Sequence, residues 1–468
     1  MFTFNYAYQE LGDIQIHTTG CDLSIHDGRK FAATLPMEEK AMVFNTCSVF
    51  VERETENRIL LRILKKAYPD YKLYVLGCDV NNNPSNYVEY DNVYRNEVVS
   101  DIINRHFVED RVESRNDIVY LKIQDGCRHN CTFCIINQLR NNPFSLPYRE
   151  IVNNLRLEIG DRKEVKVQVA GTELTNYYDK ETGYRISDVL EHLVEEFPEI
   201  IQLALTSIDP ASNEIEKIMR IIDKNRDRLI PHLNLAVQSG NDYILKMMKR
   251  RHDVQRIREV HALGDKYNIG LGWDIIVGFP GETEEYFMDT VNLIRELKPL
   301  TRTMFAYSPR KGTPAYEMKE QIQNIVKQER LCRVVEEVNA CILEASDARL
   351  SAYRKYIDER FNDAKQGMDV DMLSRVMFNG MEHVELDLFD EDMFANWLRH
   401  GDKSKLVYIN YDLERALETD IYVNFIKGFV KGSRIAIRFP KEYDIDNHPF
   451  KDNFPCIVRK KSNIVIIV

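Results

Sequence analysis

The sequence predicts an α/β protein in three parts: an N-terminal parallel α/β domain (1–110), a central partial (β/α)6 barrel (111–345) and a small C-terminal all-β module behind a linker helix (346–468). Three observations carry that expectation. Extended runs up to residue 110 alternate with helical spacing, and each ends at a cysteine. Six β-branched runs between 118 and 320 recur with helix-length segments between them. Short alternating runs close the chain after one long amphipathic stretch. A chain of 468 residues is also too long for one ordinary core.

In the N-terminal part, "IQIHTTGC" runs to Cys21, "AMVFNTC" to Cys47 and "KLYVLGC" to Cys78. Between the second and third, Ile59, Leu60, Ile63 and Leu64 sit at helical spacing in "ERETENRILLRILKKAYPD". Strand, helix and strand in alternation imply a parallel sheet. Open α/β sheets place their ligands beyond the carboxyl ends of the strands, so three cysteines distant in sequence are expected to converge on one sheet edge.

The central runs are "IVYLKIQ", "VKVQVAG", "IIQLALTS", "HLNLAVQSG", "LGWDIIVG" and "RTMFAYS". A parallel barrel built from such units gathers its site at the strand C-termini. Near those ends lie Cys127, Gly171, Ser207, Gln238 and Gly278. From 321 to 364 a long helix is expected, because Ile322, Ile325, Val326, Val334, Val335, Val338, Cys341 and Ile342 follow a 3.6-residue period. Beyond it, "HVELDLF", "KLVYINY", "DIYVNFI" and "SRIAIRF" read as the strands of the all-β module, which turns mildly basic from residue 420.

Composition narrows the function. No apolar stretch approaches the roughly 20 residues of a membrane span, and "MFTFNYAYQELGDIQIH" lacks the basic start and apolar run of a signal peptide. A cytoplasmic location is therefore expected, without a membrane partner. In a reducing compartment the nine cysteines are expected to be ligands, nucleophiles or core fillers rather than disulfides. The net charge of −11 offers no whole-molecule argument for nucleic-acid binding, although a local basic surface would suffice.

The chemistry concentrates in "IQDGCRHNCTFCIINQ", where Cys127, Cys131 and Cys134 form a Cys-x3-Cys-x2-Cys loop after the first barrel strand. Thiolates suit zinc or iron–sulfur clusters. Three of them can each hold one iron of a [4Fe–4S] cube, leaving the fourth iron open for a substrate or cofactor. A zinc site completed by His129 or a distant cysteine is the other reading, but His129 lies between two of the cysteines and would need a strained loop.

This loop, with Phe133 before its last cysteine, resembles the radical S-adenosylmethionine superfamily. Residues 10–345 resemble its methylthiotransferases, on "TTGCDLSIHD", "NTCSV", "LGC", "GCRHNCTFCII", "HLNLAVQSGND", "DIIVGFPGETEEYF" and "YSPRKGTPAYEM" in the family's order. The resemblance implies that Cys127, Cys131 and Cys134 hold the [4Fe–4S] cluster whose open iron chelates S-adenosylmethionine, from which a 5′-deoxyadenosyl radical is released. It implies that Cys21, Cys47 and Cys78 hold a second [4Fe–4S] cluster that carries or relays sulfur. Three unrelated core cysteines are the other reading of that set, and Cys332, Cys341 and Cys456 match no motif.

Gly171, Thr172 and Glu173 in "AGTEL" fall where the superfamily contacts the cofactor's amino and ribose groups, and Phe133, Ser207 and Gln238 join them as expected cofactor contacts. Each of the strand-end residues could equally be a solvated loop residue. "GFPGE" reads as a tight turn rather than a phosphate cradle, and "KMMKRRH" (246–252) as either a phosphate-backbone contact or an ordinary exposed helix face. The family's Arg-Gly and Ser-Arg pairs become Arg140–Asn141 and Ser145–Leu146 here, in a loop that borders the family's substrate entrance. The C-terminal module matches the family's small substrate-binding barrel, the TRAM domain, only loosely.

The implied activity is insertion of a methylthio group at an unactivated C–H of an adenosine adjacent to the tRNA anticodon. An electron donor such as flavodoxin or ferredoxin and a monomeric chain are expected. The alternatives are the same chemistry on a protein or peptide side chain, and a non-catalytic iron–sulfur protein that binds RNA or another partner.

Overall fold

A computed structural model describes residues 7–36, 38–48, 51–105, 118–140, 143–301, 303–346, 348–349, 351–353, 383–386, 389–401, 406–410, 421–422, 425, 434–439, 456–459 and 464–467. In the N-terminal domain β1 (Ala7–Leu11) and β2 (Ile14–Thr18) form a hairpin. β2, β3 (Ala41–Thr46), β4 (Lys72–Gly77) and β5 (Asn92–Tyr94) then run parallel in that spatial order. The connections carry α1 (Asp22–Ala32), α2 (Val51–Ala67), α3 (Cys78–Asn82) and α4 (Asn96–Arg105). All six residues of β3 are buried, as a parallel strand covered on both faces requires. Ile59, Leu60, Ile63 and Leu64 bury one stripe of α2 against Met42, Phe44 and Val75.

Six parallel strands occupy the six central runs: β6 (Ile118–Asp125), β8 (Val165–Gly171), β9 (Ile200–Leu205), β10 (His232–Gln238), β11 (Gly270–Val277) and β12 (Met304–Ala306). The β6–β8–β9 and β10–β11–β12 sheets meet at a parallel bridge between Ile208 and Leu235. β7 (Phe144–Ser145) adds antiparallel to the outer edge of β6, so the barrel stays open between β7 and β12.

Short helices α5 (Ile136–Leu139) and α9 (Asp242–Met247) sit in loops at strand C-termini. Helices α6 (Tyr148–Ile159), α7 (Ile186–Glu196), α8 (Ile215–Lys224), α10 (Val254–Lys266), α11 (Glu284–Leu297) and α12 (Asn324–Glu344) form the outer layer. Alternation along the pleat puts Val119, Leu121 and Ile123, or Leu233, Leu235 and Val237, against these helices. The intervening Lys122, Gln124, Gln168, Gln202, Asn234 and Gln238 are polar and buried on the opposite face. Ile215, Ile218, Met219 and Ile222 of α8 show the stripe that fixes a helix on the sheet, each worth about 1.5–3 kcal/mol on burial.

The C-terminal region departs from expectation. The long helix stops at Glu344, where Ala345 turns extended (φ −67°, ψ 143°), and residues 354–364 of the expected helix lie outside the described residues. The described part of the expected all-β module is a mixed sheet of β13 (His383–Leu386), β14 (Leu406–Asn410), β15 (Arg434–Phe439), β16 (Cys456–Arg459) and β17 (Ile464–Ile467), ordered β13-β14-β15-β17-β16. Its first three strands run parallel. A parallel pair needs a crossover, and α13 (Glu391–His400) supplies it between β13 and β14. In "DIYVNFI", read as a strand, Ile421, Tyr422 and Phe425 are helical. The reason is spacing: Phe394, Trp397 and Leu398, like Ile421 and Phe425, recur every three or four residues and pack with α2 in one core. Among the described residues no helix is long and apolar enough to cross a membrane.

Candidate active site

β6 delivers the first cysteine trio. After Asp125 the chain bends at Gly126 (φ 70°), whose N–H donates to Asp125 Oδ1 at 2.7 Å. The loop is then stitched to distant barrel units. Thr132 donates its N–H to the Met248 carbonyl (3.1 Å) and its hydroxyl to that of Met247 (2.9 Å), while its own carbonyl accepts from Ala315 N–H (2.9 Å). Cys127 Sγ accepts from His129 N–H at 3.4 Å, and Arg250 Nη1 donates to Cys131 Sγ at 3.2 Å. Burial pushes the Cys134 thiol up to about 12 and raises that of Cys127. Such thiols stay protonated at neutral pH until a metal cation displaces the proton.

Beside this loop lies a polar pocket. Glu173, at the end of β8, gives its N–H to Gln124 Oε1 (2.9 Å) and accepts on Oε1 from Thr175 N–H (3.1 Å). Burial, reinforced by the neighbouring Asp209, pushes its carboxyl up to about 7. Asp209 follows β9. Burial opposes its charge, but His252, Arg250 and Arg251 outweigh it and hold the carboxyl well below the usual range. His129 Nδ1 stands 3.4 Å from Asp209 Oδ2 and 4.0 Å from Glu173 Oε2, so ligand atoms of the three residues all lie within 4.8 Å of one another.

The remaining expected contacts divide. Phe133 packs partly buried among Ile244, Met248, Phe279 and Tyr307. Gly171 ends β8 so close to Leu174 that a Cβ would meet it at 2.6 Å. Gln238 ends β10 after a register shift, with φ 73°. Ser207 spends its hydroxyl on Asn234, which also donates to Asp274 (2.6 Å). In "KMMKRRH", which leaves α9 after Met247, Lys246, Lys249 and Arg251 are exposed, while His252 and the side chain of Arg250 are buried. Asn141 lies outside the described residues, and Leu146 packs against the barrel core.

The second trio follows three adjacent parallel strands. Cys21 caps α1 just after β2, Cys47 follows β3, and Cys78 opens α3 directly after β4. Asn57, fully buried on α2, gathers these loops. Its Oδ1 accepts from Thr19 Oγ1 (2.6 Å), and its Nδ2 donates to the Cys47 carbonyl (2.7 Å) and Asp79 Oδ2 (2.9 Å). A Cβ on Gly20, the residue before Cys21, would lie 3.7 Å from that of Cys47. Sequence reasoning missed Asn57, whose only signal was a polar side chain on the apolar side of an amphipathic helix.

The two trios also approach each other. Cys78 packs against Ile135 and Leu139, just past Cys134. The Leu139 carbonyl accepts from Asn81 (2.9 Å) and Asn96 (3.0 Å), and Asn96 reaches Cys78 Sγ at 3.6 Å. From the sixth barrel unit, buried Arg310 donates to the Ser48 carbonyl (2.7 Å) and hydroxyl (2.6 Å), beside Cys47, and pairs with Glu54. Buried Arg140 pairs Nη1 with both Asp125 oxygens at 2.9 Å and stands 3.5 Å from Asp27 of α1. Lys122 joins Asp27 (2.9 Å) and Asp125 (2.7 Å).

Comparison with known proteins gives a consistent result. Residues 121–294 match the model of the Radical SAM superfamily. The threonylcarbamoyladenosine tRNA methylthiotransferase MtaB of Rickettsia prowazekii is 33% identical over 345 residues, 67% of this chain and 80% of the relative. A tRNA-2-methylthio-N(6)-dimethylallyladenosine synthase of Bacillus subtilis is 28% identical over 423 residues, covering 80% and 81%. Among solved structures, the radical S-adenosylmethionine methyltransferase TsrM of Kitasatospora setae aligns at 12% identity and a TM-score of 0.44, covering 63% of this chain and 67% of that one.

Proposed function

The chain belongs to the methylthiotransferases of the radical S-adenosylmethionine superfamily, and we propose that it inserts a methylthio group at an unactivated C–H of an adenosine adjacent to the tRNA anticodon. The observation that carries this reading is the approach of two cysteine trios, with Cys78 seated on the residues that follow Cys134. Cys127, Cys131 and Cys134 would hold one [4Fe–4S] cluster, and Cys21, Cys47 and Cys78 the second. The donor sets fit: thiols gathered past strand ends, with Cys47, Cys78 and Cys131 buried, Cys127 and Cys134 half-buried and Cys21 exposed, and with Arg250 on Cys131. When bound, these clusters and S-adenosylmethionine supply a 5′-deoxyadenosyl radical and the sulfur to be inserted.

The protein's part is positioning and exclusion of water. Glu173, Asp209 and His129 offer a cluster of acceptor atoms beside the first trio, suited to the ammonium of S-adenosylmethionine. Arg250 keeps those acceptors and Cys131 in register by bonding both Cys131 Sγ and the Ala236 carbonyl. At the barrel mouth, the large aromatic side chains exposed among the described residues all lie in segments that follow the C-termini of barrel strands: Phe144 in β7, Tyr178, Tyr243 in α9 and Tyr316. Splayed bases of an RNA loop stack on such side chains. Both relatives carry a substituted adenosine of tRNA in their names, which supports the same target here.

The test is nucleoside and protein mass spectrometry from cells with and without the gene, beside anaerobic turnover of the reconstituted enzyme. Release of 5′-deoxyadenosine with a methylthio group appearing on tRNA adenosine is expected. Unchanged tRNA with a methylthio group on a ribosomal protein or peptide would move the activity to the second target, which the mixed C-terminal sheet favours. Absence of 5′-deoxyadenosine would refute the catalytic reading.

A further inference from the structure

Among the buried cations that the cofactor roles leave unused, Arg140 pairs with carboxylates of both domains. Arg140 is 6% exposed. By family resemblance its loop belongs at the substrate entrance, yet here it is enclosed between the two domains. Asp125, its bidentate partner, lies two residues before Cys127 on β6. Its second carboxylate, Asp27, belongs to α1, the helix capped by Cys21. On its other side, neighbouring Leu139 is packed against Cys78 and held there through Asn81 and Asn96. Arg140 therefore follows directly on the residue seated against Cys78, while its guanidinium holds, through Asp27, the helix capped by Cys21.

Charge counting shows what this arrangement does. Arg140 and Lys122 are two cations, Asp27 and Asp125 two anions, so the four-residue network is neutral before any sulfur is considered. Thiolates added at Cys21 and Cys78 then make the region anionic in a low-dielectric interior, where charge interactions are strong. Lys122 points its charge at the carboxylates. Arg140 adjoins Leu139, which packs on Cys78, and pairs with the helix that Cys21 caps; arginine cannot shed its proton to escape burial. Net charge around a cluster is one of the determinants of its reduction potential.

We propose that Arg140 is a positioning residue shared by the two trios: it ties the strand before Cys127 to the helix capped by Cys21, and turns its charge on the second trio. A cluster held by Cys21, Cys47 and Cys78 is thereby docked at a fixed separation from the first and is easier to reduce than it would be without the guanidinium. This inference rests on the reading that both trios hold clusters.

The test uses the full chain, reconstituted anaerobically, as wild type, Arg140→Lys, Arg140→Gln and the double variant Arg140→Gln/Asp125→Asn. The double variant exchanges an ion pair for an amide pair and leaves Asp27 its Lys122 partner, so it guards against collapse from an unpaired buried charge. Iron and sulfide per chain are measured, together with both midpoint potentials by redox-titrated EPR. The signals are assigned with the Cys21→Ala/Cys47→Ala/Cys78→Ala variant. The expected result is a second potential that falls relative to the first in the double variant, where Asp125→Asn also removes a carboxylate two residues before Cys127, loss of second-trio iron in Arg140→Gln, and recovery of both in Arg140→Lys. Two clusters in the wild type with an unchanged gap between the two potentials in the double variant overturn the role of Arg140 alone. Iron for a single cluster in the wild type, unchanged on replacing Cys21, Cys47 and Cys78, overturns the two-cluster reading and this proposal with it.

Discussion

Gly77→Ala should remove the second cluster site while sparing the first. Gly77 joins β4 to Cys78 with φ 104° and ψ −171°, a conformation essentially reserved to glycine. A Cβ there would lie 2.3 Å from Asn45 Oδ1, 2.3 Å from the Thr46 carbonyl oxygen and 2.7 Å from Thr46 N. The Asn45 amide is anchored on the Ser24 carbonyl (2.8 Å), and Thr46 is β3 backbone paired in register with Gly77 itself. Neither can give way cheaply, so the strands must part between Cys47 and Cys78. Backbone strain of about 1–3 kcal/mol and overpacking of about 1–3 kcal/mol sum to roughly 2–6 kcal/mol, a large share of the ~5–15 kcal/mol that holds a typical domain. Urea unfolding and anaerobic iron analysis test this. A lower midpoint with loss of the iron assigned to the second trio, and retention of that at the first, is expected. A variant with the wild-type midpoint and full iron content would refute the claim that β4 must pass close behind β3 to place Cys78.

Asn57→Ala strips partners from Thr19, Cys47 and Asp79 at once; at roughly 1 kcal/mol per bond and more where a buried group is left unsatisfied, a clear fall in urea midpoint is expected together with loss of second-trio iron. His261 is buried and accepts from Trp273 Nε1–H at 2.8 Å; burial lowers its pKa to about 4, below the unfolded value near 6.5. The unfolded chain then binds the extra proton first, so the contribution is intact above pH 6.5 and is lost as pH falls toward 4, by about 3 kcal/mol in full. Denaturation of His261→Gln against wild type across that range should show a shallower pH slope in the variant, and parallel slopes would count against it. Phe144→Ser and Tyr178→Ser should each weaken binding of an anticodon stem-loop by about 1–3 kcal/mol, read by fluorescence anisotropy, with no loss of 5′-deoxyadenosine formation. Trp397→Ala should cost about 3–5 kcal/mol at the contact between α13 and α2, seen as a lower thermal midpoint of the N-terminal domain.

The six barrel strands were legible because short runs rich in β-branched and apolar residues, alternating with polar ones in "VKVQVAG" and "HLNLAVQ", recur with helix-length segments between them. The second trio was legible because three runs each stop at a cysteine. The helix α1 was not, since "CDLSIHDGRKFA" mixes apolar with charged residues that turn out to be buried, among them Asp27 and Arg29. Their partners, Lys122 and Glu158, lie in the other domain, and no local period announces a pairing across it. The same blindness hid Arg250, half of an "RR" pair whose first member points at a cysteine sulfur. At the C-terminus "HVELDLF" and "KLVYINY" read as strands of a small all-β module. The intervening "EDMFANWLRH" carries Phe394, Trp397 and Leu398 at helical spacing behind an Asp390 cap whose Oδ1 accepts from Asp392 and Met393 N–H (3.1 and 3.0 Å). That period was present and outweighed by its neighbours.

The chemistry asks two domains to hold their cysteines at one separation, and polar contacts dominate the way this chain does it. Where the trios meet, the buried apolar cluster among the described residues is small: Cys78, Ile135 and Leu139. Around that point stand Arg140 with Asp125 and Asp27, Arg310 with Ser48 and Glu54, and Lys30 with Glu158 at 3.0 Å. Buried ion pairs add little net stability over apolar packing, yet removing one partner costs about 3–5 kcal/mol because the other charge is stranded. An apolar interface could slip by an ångström and repack. A guanidinium gripping a carboxylate with both oxygens at 2.9 Å cannot slip without losing its hydrogen bonds. The interface therefore trades strength for registry, which is what a reaction between groups delivered from two domains requires.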